Sequence, residues 1–206
     1  MKTILYYTGN FKDPVFSQKI RDNILTNSNL PIVSVSQEPI NFGENICVGK
    51  VGRSYLNVYR QILIGATDIK TEYIIFCEDD FLYPPSYFKF DLIENENFLR
   101  YGNTWMVLHK GPYYRTKPIG GAQIMKRDLC VDVLEEYLHG CPMFYNGNYK
   151  IDKTDYMGAH FDIFTGDQPV IAFKPNGNLS KSGSSIGSIK ELPVWGNVKD
   201  LRKKYL

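Results

Sequence analysis

The run Tyr73-Ile74-Ile75-Phe76-Cys77-Glu78-Asp79-Asp80 is the chain's strongest chemical signal: an apolar, strand-type segment empties into three consecutive acids. Like charges side by side repel, and a bound divalent cation relieves that repulsion. Glu78 and Asp80 stand two apart, so on an extended chain both carboxylates point to the same side. Two hard oxygen donors suit Mg²⁺ or Mn²⁺, with water and phosphate oxygens completing the coordination. The chemistry implied is metal-assisted and acts on a phosphorylated ligand, the cation neutralising charge as a phosphate departs.

Elements that would position these acids can be read from local signals. Thr3 to Tyr7 reads as a strand, closed by Thr8-Gly9-Asn10. Asp13-Pro14 starts a helix, Asp as N-cap and Pro at the first helical position, with Phe16, Ile20 and Ile24 along one face. A second strand, Pro31 to Val35, leads to a polar loop carrying Gln37 and Glu38. Gly52-Arg53-Ser54 opens another helix, whose apolar stripe is Tyr55, Tyr59, Ile62 and Ala66. Such alternation predicts an α/β fold with a mainly parallel sheet flanked by helices. Sheets of that kind bind ligands beyond the carboxyl ends of their strands. Thr8-Gly9-Asn10, the loop after Val35 and the three acids should therefore converge on one cleft.

In the second half, Thr104 to Leu108 reads as a strand, followed by an aromatic loop with Tyr113, Tyr114 and Arg115. Gly120 to Met125 reads as a further strand. Asp128 is placed to cap a helix carrying Leu129, Val133, Leu134 and Tyr137, with Gly140 as its stop. Asp152 to Asp155 reads as a helix entry, Gly166 as its exit, and Pro169 to Phe173 as a strand. Ser180 to Ser188 is a Ser/Gly-rich loop, read either as linker or as a lid, and a short basic helix begins near Val198.

With 206 residues, the chain reads as one domain, its nucleotide-binding half at about 1–100, an acceptor half at about 101–175, and the loop and basic helix at 176–206. A formal net charge of +2 makes no general demand for a nucleic-acid or membrane partner. Lys199, Arg202, Lys203 and Lys204 form a local basic end, either a solvated helix face or a phosphate-attracting one. The four cysteines lack C-x-x-C spacing, and Cys77 and Cys130 read as buried free thiols. No apolar run approaches the ~20 residues that span a bilayer, and Lys2 to Tyr7 is too short for a signal peptide. The expected compartment is cytoplasmic.

The order of these features resembles the nucleotide-sugar glycosyltransferases of the GT-A fold. In that family a strand ends in a D-x-D motif holding the metal and the sugar nucleotide; Glu78-Asp79-Asp80 resembles it, with Glu in first position. Gly120-Gly121-Ala122-Gln123-Ile124-Met125-Lys126-Arg127-Asp128 resembles the segment beside the donor sugar, which implies a donor contact at Gly121. Inverting members carry an E-D pair whose Asp is the catalytic base, followed by a Gly. Thr154-Asp155 stands there in this chain, with Gly166 eleven residues beyond Asp155. The resemblance thus implies Asp155 as the base that takes the acceptor hydroxyl's proton, with Asp162 and Asp167 in reserve. It also implies nucleoside contacts from Thr8, Gly9, Asn10 and Gln37 or Glu38. Arg53, at a helix start, reads either as a diphosphate contact or as an ordinary surface charge. The family's late metal-binding His has no counterpart in Lys174 to Asn178.

The function expected is transfer of a sugar from a nucleotide sugar, a UDP-sugar foremost, to an acceptor hydroxyl with inversion, using Mn²⁺ or Mg²⁺. The acceptor is a saccharide, a protein side chain, or a hydroxymethylated pyrimidine in duplex phage DNA. For DNA, the basic terminal helix, Lys181 and Lys190 would meet the backbone, and Tyr113-Tyr114 would stack on an extruded base. Two other classes compete. A sugar-nucleotide nucleotidyltransferase needs a Gly-rich basic loop after the first strand, which Thr8 to Lys12 does not supply. A non-catalytic sugar- or nucleic-acid-binding module would retain the fold without turnover.

Overall fold

The computed structural model describes residues 1–89, 96–147, 149, 161–174 and 186–206. In chain order the first elements are β1 (Lys2–Thr8), α1 (Pro14–Asn27), β2 (Ile32–Ser36), β3 (Glu44–Cys47), α2 (Tyr55–Asp68) and β4 (Tyr73–Glu78). Next come β5 (Phe81–Leu82), α3 (Pro85–Lys89), β6 (Phe98–Tyr101), β7 (Thr104–Leu108), β8 (Tyr113–Arg115), β9 (Gln123–Lys126) and α4 (Arg127–Tyr137). The last are β10 (Asp162–Phe164), β11 (Val170–Lys174), β12 (Gly187–Ile189), β13 (Glu191–Leu192), β14 (Gly196–Asn197) and α5 (Val198–Tyr205). They fall into two compact units, one of Met1–Phe11, Leu30–Glu78 and Ile124–Phe161, the other of Lys12–Asn29, Asp79–Gln123 and Asp162–Leu206.

The first unit is built on strands in the order β9-β4-β1-β2-β3. β1 runs parallel to β2 and β4, β2 runs parallel to β3, and β9 is antiparallel to β4. Ile4, Leu5, Ile74, Ile75 and Phe76 are fully buried, as the continuous apolar runs of β1 and β4 require in a parallel sheet. α2 lies close against this sheet because Gly65 has no side chain. A Cβ there would stand 2.3 Å from Leu5 Cδ1 and 2.9 Å from Val35 Cγ2. The buried face of α2 is Leu56, Asn57, Gln61, Ile62, Gly65 and Ala66. The expected stripe held at Ile62 and Ala66 but not at Tyr55 and Tyr59, which are half-buried, because two side-chain amides occupy the inward face instead.

The second unit contains a sheet in the order β12-β8-β7-β11-β5, a parallel β6–β10 pair and the hairpin β13–β14. β11 is parallel to β7 and antiparallel to β5, so this unit is mixed where the first is mostly parallel. The helix expected at Asp13 is α1, capped by Asp13 Oδ1 accepting from Phe16 N–H (2.9 Å), with Phe16, Ile20 and Ile24 buried. Phe16 meets Phe173 of β11 edge-on at 5.4 Å, and Tyr205 of α5 meets the same ring at 5.8 Å.

Three expectations are corrected here. A helix running to Gly166 does not exist in that form: Asp162–Phe164 is β10, extended because it pairs with Leu99 to Tyr101. Asp128 is not the cap of α4 but lies in its first turn, and Lys126 at the cap makes no side-chain bond. Tyr113 is not in a loop. It lies in β8 with 0% exposure, so its ring is part of the core and offers no face to an extruded base. The Tyr richness is largely structural: Tyr83, Tyr87 and Tyr101 form a ring-contact cluster, and their hydroxyls donate to Gly121 O (2.6 Å), Gln123 O (3.0 Å) and Gln168 O (2.6 Å).

Candidate functional site

In the first unit, parallel β1, β2 and β4 deliver their carboxyl ends to one edge. Thr8-Gly9-Asn10 leaves β1, Gln37-Glu38 follows β2, and Glu78 ends β4. Asn10 adopts the left-handed region (φ 58°), which Asn tolerates better than most residues. Its backbone N–H donates to Thr8 Oγ1 (3.0 Å). Its side-chain Oδ1 accepts from the backbone N–H groups of Gln37 (2.9 Å) and Glu38 (3.0 Å), which ties the first loop to the second. A Cβ on Gly9 would stand 2.4 Å from the exposed Phe11 ring, which would have to swing aside to admit it. Arg53 carries its guanidinium 5.7 Å from the centre of that same ring.

Side-chain amides hold this edge together. Gln37 donates from Nε2 to Gly52 O (2.8 Å) and accepts at Oε1 from Gly52 N–H (3.1 Å), bracing the loop that leads to Arg53. Its amide therefore serves the scaffold rather than facing outward as a base-reading group. Gln61 Nε2 donates to Thr8 O (2.9 Å) and Val35 O (3.2 Å), at the ends of β1 and β2. Asn57 Nδ2 donates to Val51 O, Gly52 O and Tyr145 O, each at 2.9 Å, while its Oδ1 accepts from Tyr145 N–H. These amides satisfy loop carbonyls that would otherwise be stranded beside a buried sheet. Glu38 is exposed and pairs with Lys50 at 2.9 Å.

Glu78 accepts a hydrogen bond from the Tyr7 hydroxyl at Oε1 (2.8 Å). Tyr55 lies in the field of the same carboxylate: burial raises its phenol, Glu78 adds to that, and Arg53 opposes it. The extended run ends at Glu78, and Asp79-Asp80 form a turn before β5. The alternation that would set Glu78 and Asp80 on one side of a strand therefore stops short of Asp80.

Within the second unit, Asp80 is 5% exposed and its Oδ2 accepts from Lys12 Nζ at 3.1 Å. Its backbone carbonyl accepts from Phe173 N–H (2.8 Å), locking the turn onto β11. Gly121 is buried, its carbonyl held by Tyr83. Asp162 and Asp167 are exposed, the former on β10. Asp155 and Lys181 lie outside the described residues. In α5, Arg202 donates to Leu108 O (2.9 Å) and to Gly111 O, while Lys199, Lys203 and Lys204 face solvent.

The donor chemistry fits a divalent ion: carboxylates are hard oxygen ligands, and Asp80 is held where it already carries a cation, the Lys12 ammonium. Among the described residues, no group of three or more His, Cys, Asp or Glu is gathered as a metal cage. Lys12, Tyr7, Asn57 and Gln61 escaped the sequence reading. Only the amides left a signal, as polar residues four apart (Asn57, Gln61) in a helix otherwise apolar on that face.

No protein-family model matches the sequence, and no curated protein matches it significantly. Solved structures resemble it. The inositol-1-phosphate CTP transferase from T. maritima superposes with a TM-score of 0.52 at 14% identity, over 87% of this chain and 91% of that one. The bifunctional IspDF from Campylobacter jejuni gives 0.45 at 12% identity, over 81% of this chain and 50% of the other. The catalytic domain of Drosophila β1,4-galactosyltransferase 7, in complex with xylobiose, gives 0.46 at 13% identity, over 79% and 63%. The chain thus spans half of one of these proteins and under two thirds of another. At such identities the likeness to the CTP transferase shows the fold: mixed α/β, of the Rossmann-like GT-A type. Glycosyltransferases and nucleotidyltransferases both occur among the structural neighbours. No helix among the described residues is long and apolar enough to cross a membrane.

Proposed function

We propose that this protein is a metal-dependent glycosyltransferase that moves a sugar from a nucleotide sugar, a UDP-sugar foremost, to an acceptor hydroxyl with inversion. The observation that carries the reading is the convergence of Thr8-Gly9-Asn10, Gln37-Glu38, Arg53 and Glu78 around the carboxyl edge of one parallel sheet, where α/β folds take nucleotides. The loops after β1 and β2 hold the nucleoside, with Gln37 and Asn10 acting by shaping the loops and Thr8 and Glu38 nearest the ligand. Arg53 meets the diphosphate. Glu78 and Asp80, with Asp79 between them, hold Mn²⁺ or Mg²⁺, which supplies Lewis-acid neutralisation of the diphosphate when bound. Gly121 lies beside the donor sugar, and Asp155 takes the acceptor proton, with Asp162 and Asp167 as the reserve carboxylates.

The proposed acceptors are a saccharide, a protein side chain and a hydroxymethylated pyrimidine in duplex DNA. The solvent-facing lysines of α5 suit a phosphate backbone, but buried Tyr113 removes one of the two rings that would have stacked on an extruded base. The test is UDP release from a panel of UDP-sugars with and without Mn²⁺, with oligosaccharides and hydroxymethylated duplexes as acceptors. The expected result is Mn²⁺-dependent release, accelerated by one acceptor class and abolished by Asp80→Asn. Asp155→Asn should lower kcat by about 10²–10⁴-fold with donor binding kept, the range for losing a general base. Consumption of CTP or UTP with a sugar phosphate would instead make the protein a nucleotidyltransferase, and donor binding without release a binding module.

A further inference from the structure

We propose that the segment after α4, residues 141–147, is a fixed arm that presents the Tyr145 ring as a binding surface for a neutral saccharide acceptor. This rests on the glycosyltransferase reading above and narrows its acceptor.

The arm has no helix or strand of its own. Its main chain is held instead by Ser54, Asn57 and Arg60, spaced three apart along one side of α2 and its cap. Arg60 donates from Nη2 to Leu138 O (3.1 Å) and Cys141 O (2.8 Å), and from Nε to Pro142 O (3.3 Å). Asn57 grips Tyr145 from both sides: Nδ2 donates to its carbonyl and Oδ1 accepts from its N–H, each at 2.9 Å. Ser54 Oγ donates to the same carbonyl at 3.1 Å. Ser54 and Asn57 are 4% and 1% exposed, so these bonds are shielded from competing water.

The grip is on the backbone, and the side chains are left outward. Tyr145 is 45% exposed and Met143 57%. The Tyr145 ring leans on that of Tyr149, at 5.3 Å between centres and 58° between planes, which sets its direction. Buried polar groups thus hold an exposed aromatic ring still, and a ring fixed beforehand loses little freedom when a ligand covers it.

Place and charge select the ligand. Asn146 lies against Gly52, where a Cβ would stand 2.5 Å from Asn146 Cγ. Gly52 and Ser54 flank Arg53, the proposed diphosphate contact, so the arm adjoins the donor within the same unit. The cation at its base, Arg60, is taken up by carbonyls, and the exposed charges in the last turn of α4, Glu135 and Glu136, are acidic. That setting disfavours a polyanion such as duplex DNA and suits a neutral molecule. A sugar has a C–H face to lay on an aromatic ring and hydroxyls to meet the phenol and the neighbouring, exposed Asn146.

Saturation-transfer difference NMR on the full chain, with UDP and Mn²⁺ present, measures binding of xylo-, cello-, malto- and chito-oligosaccharides. The variants are Tyr145→Ala and Tyr145→Phe, which change only an exposed side chain and keep its backbone bonds; circular dichroism checks that both fold. At least one oligosaccharide is expected to bind the wild type and Tyr145→Phe similarly, and Tyr145→Ala about tenfold or more weakly. Unchanged saccharide binding in folded Tyr145→Ala, equal loss in both variants, or no saccharide bound by the wild type overturns the proposal. Binding of a hydroxymethylated duplex through Tyr145 in place of any saccharide overturns it too. In each of those cases, Mn²⁺-dependent UDP release by the wild type leaves the glycosyltransferase reading standing. Saccharide binding that depends on Tyr145, without UDP release from any UDP-sugar, supports the sugar-binding arm and overturns the glycosyltransferase reading.

Discussion

Tyr113 shows how far a residue's role can depart from its local sequence. Beside Tyr114 and Arg115 it reads as part of an exposed aromatic loop, yet its ring is enclosed in β8 and its hydroxyl donates to Gly196 O (3.2 Å). Burial pushes its phenol from about 10 up to about 12, with Arg202 opposing and Asp200 and Glu191 adding. The folded state therefore favours the neutral phenol. Its contribution is fully present below pH 10 and is lost as pH rises through about 12. Urea midpoints between pH 9 and 12 should fall for the wild-type protein and fall less steeply for Tyr113→Phe; parallel slopes would show that the phenol plays no part. Cys77 and Cys130, expected as buried thiols, are buried, because they sit in apolar runs whose burial the strand and helix patterns already demand. Lys12 was illegible for the opposite reason: its partner is 68 residues away in sequence, and nothing local marks a lysine as paired.

At the scale of elements, capping and periodicity transferred well where they were strong. Asp13-Pro14 starts α1 and Ser54 caps α2 by accepting from Asn57 N–H (3.1 Å). Weaker signals failed where pairing with a distant strand decided the outcome. Asp162-Ile163-Phe164 has no strand signature of its own beyond two apolar residues, and becomes β10 through its register with β6. α2 is the more instructive case, since its inward amides brace three loop carbonyls as well as the strand ends. Asn57→Ala would remove the amide from Val51 O and Tyr145 N–H, while Gly52 O keeps Gln37 Nε2 and Tyr145 O keeps Ser54 Oγ. A loss of about 1–3 kcal/mol in urea unfolding is expected from the unsatisfied buried groups. A change within error would mean that water replaces the amide in full.

For the whole molecule, the proposed donor should act as a stabilising ligand. A nucleotide sugar at about 100 times its dissociation constant adds about 2.7 kcal/mol, which for a chain of this size raises Tm by roughly 5–10 °C. Differential scanning fluorimetry with UDP-, GDP- and CDP-sugars, each with and without Mn²⁺, should show one base class well above the others and a larger shift with the metal. No shift with any of them would count against a nucleotide-sugar site. The α/β class, the opening alternation of β1, α1, β2, α2 and β4 (though not β3), the acidic strand end and the basic last helix were all determined by sequence alone, because each depends on the spacing of neighbouring residues. Tertiary structure alone decided that Tyr113 is core, that Gln37 braces a glycine, that Asp80 carries a lysine and that Asp162–Phe164 is a strand. Those outcomes depend on which groups meet across tens of residues, and burial and hydrogen-bond satisfaction are settled only when they do.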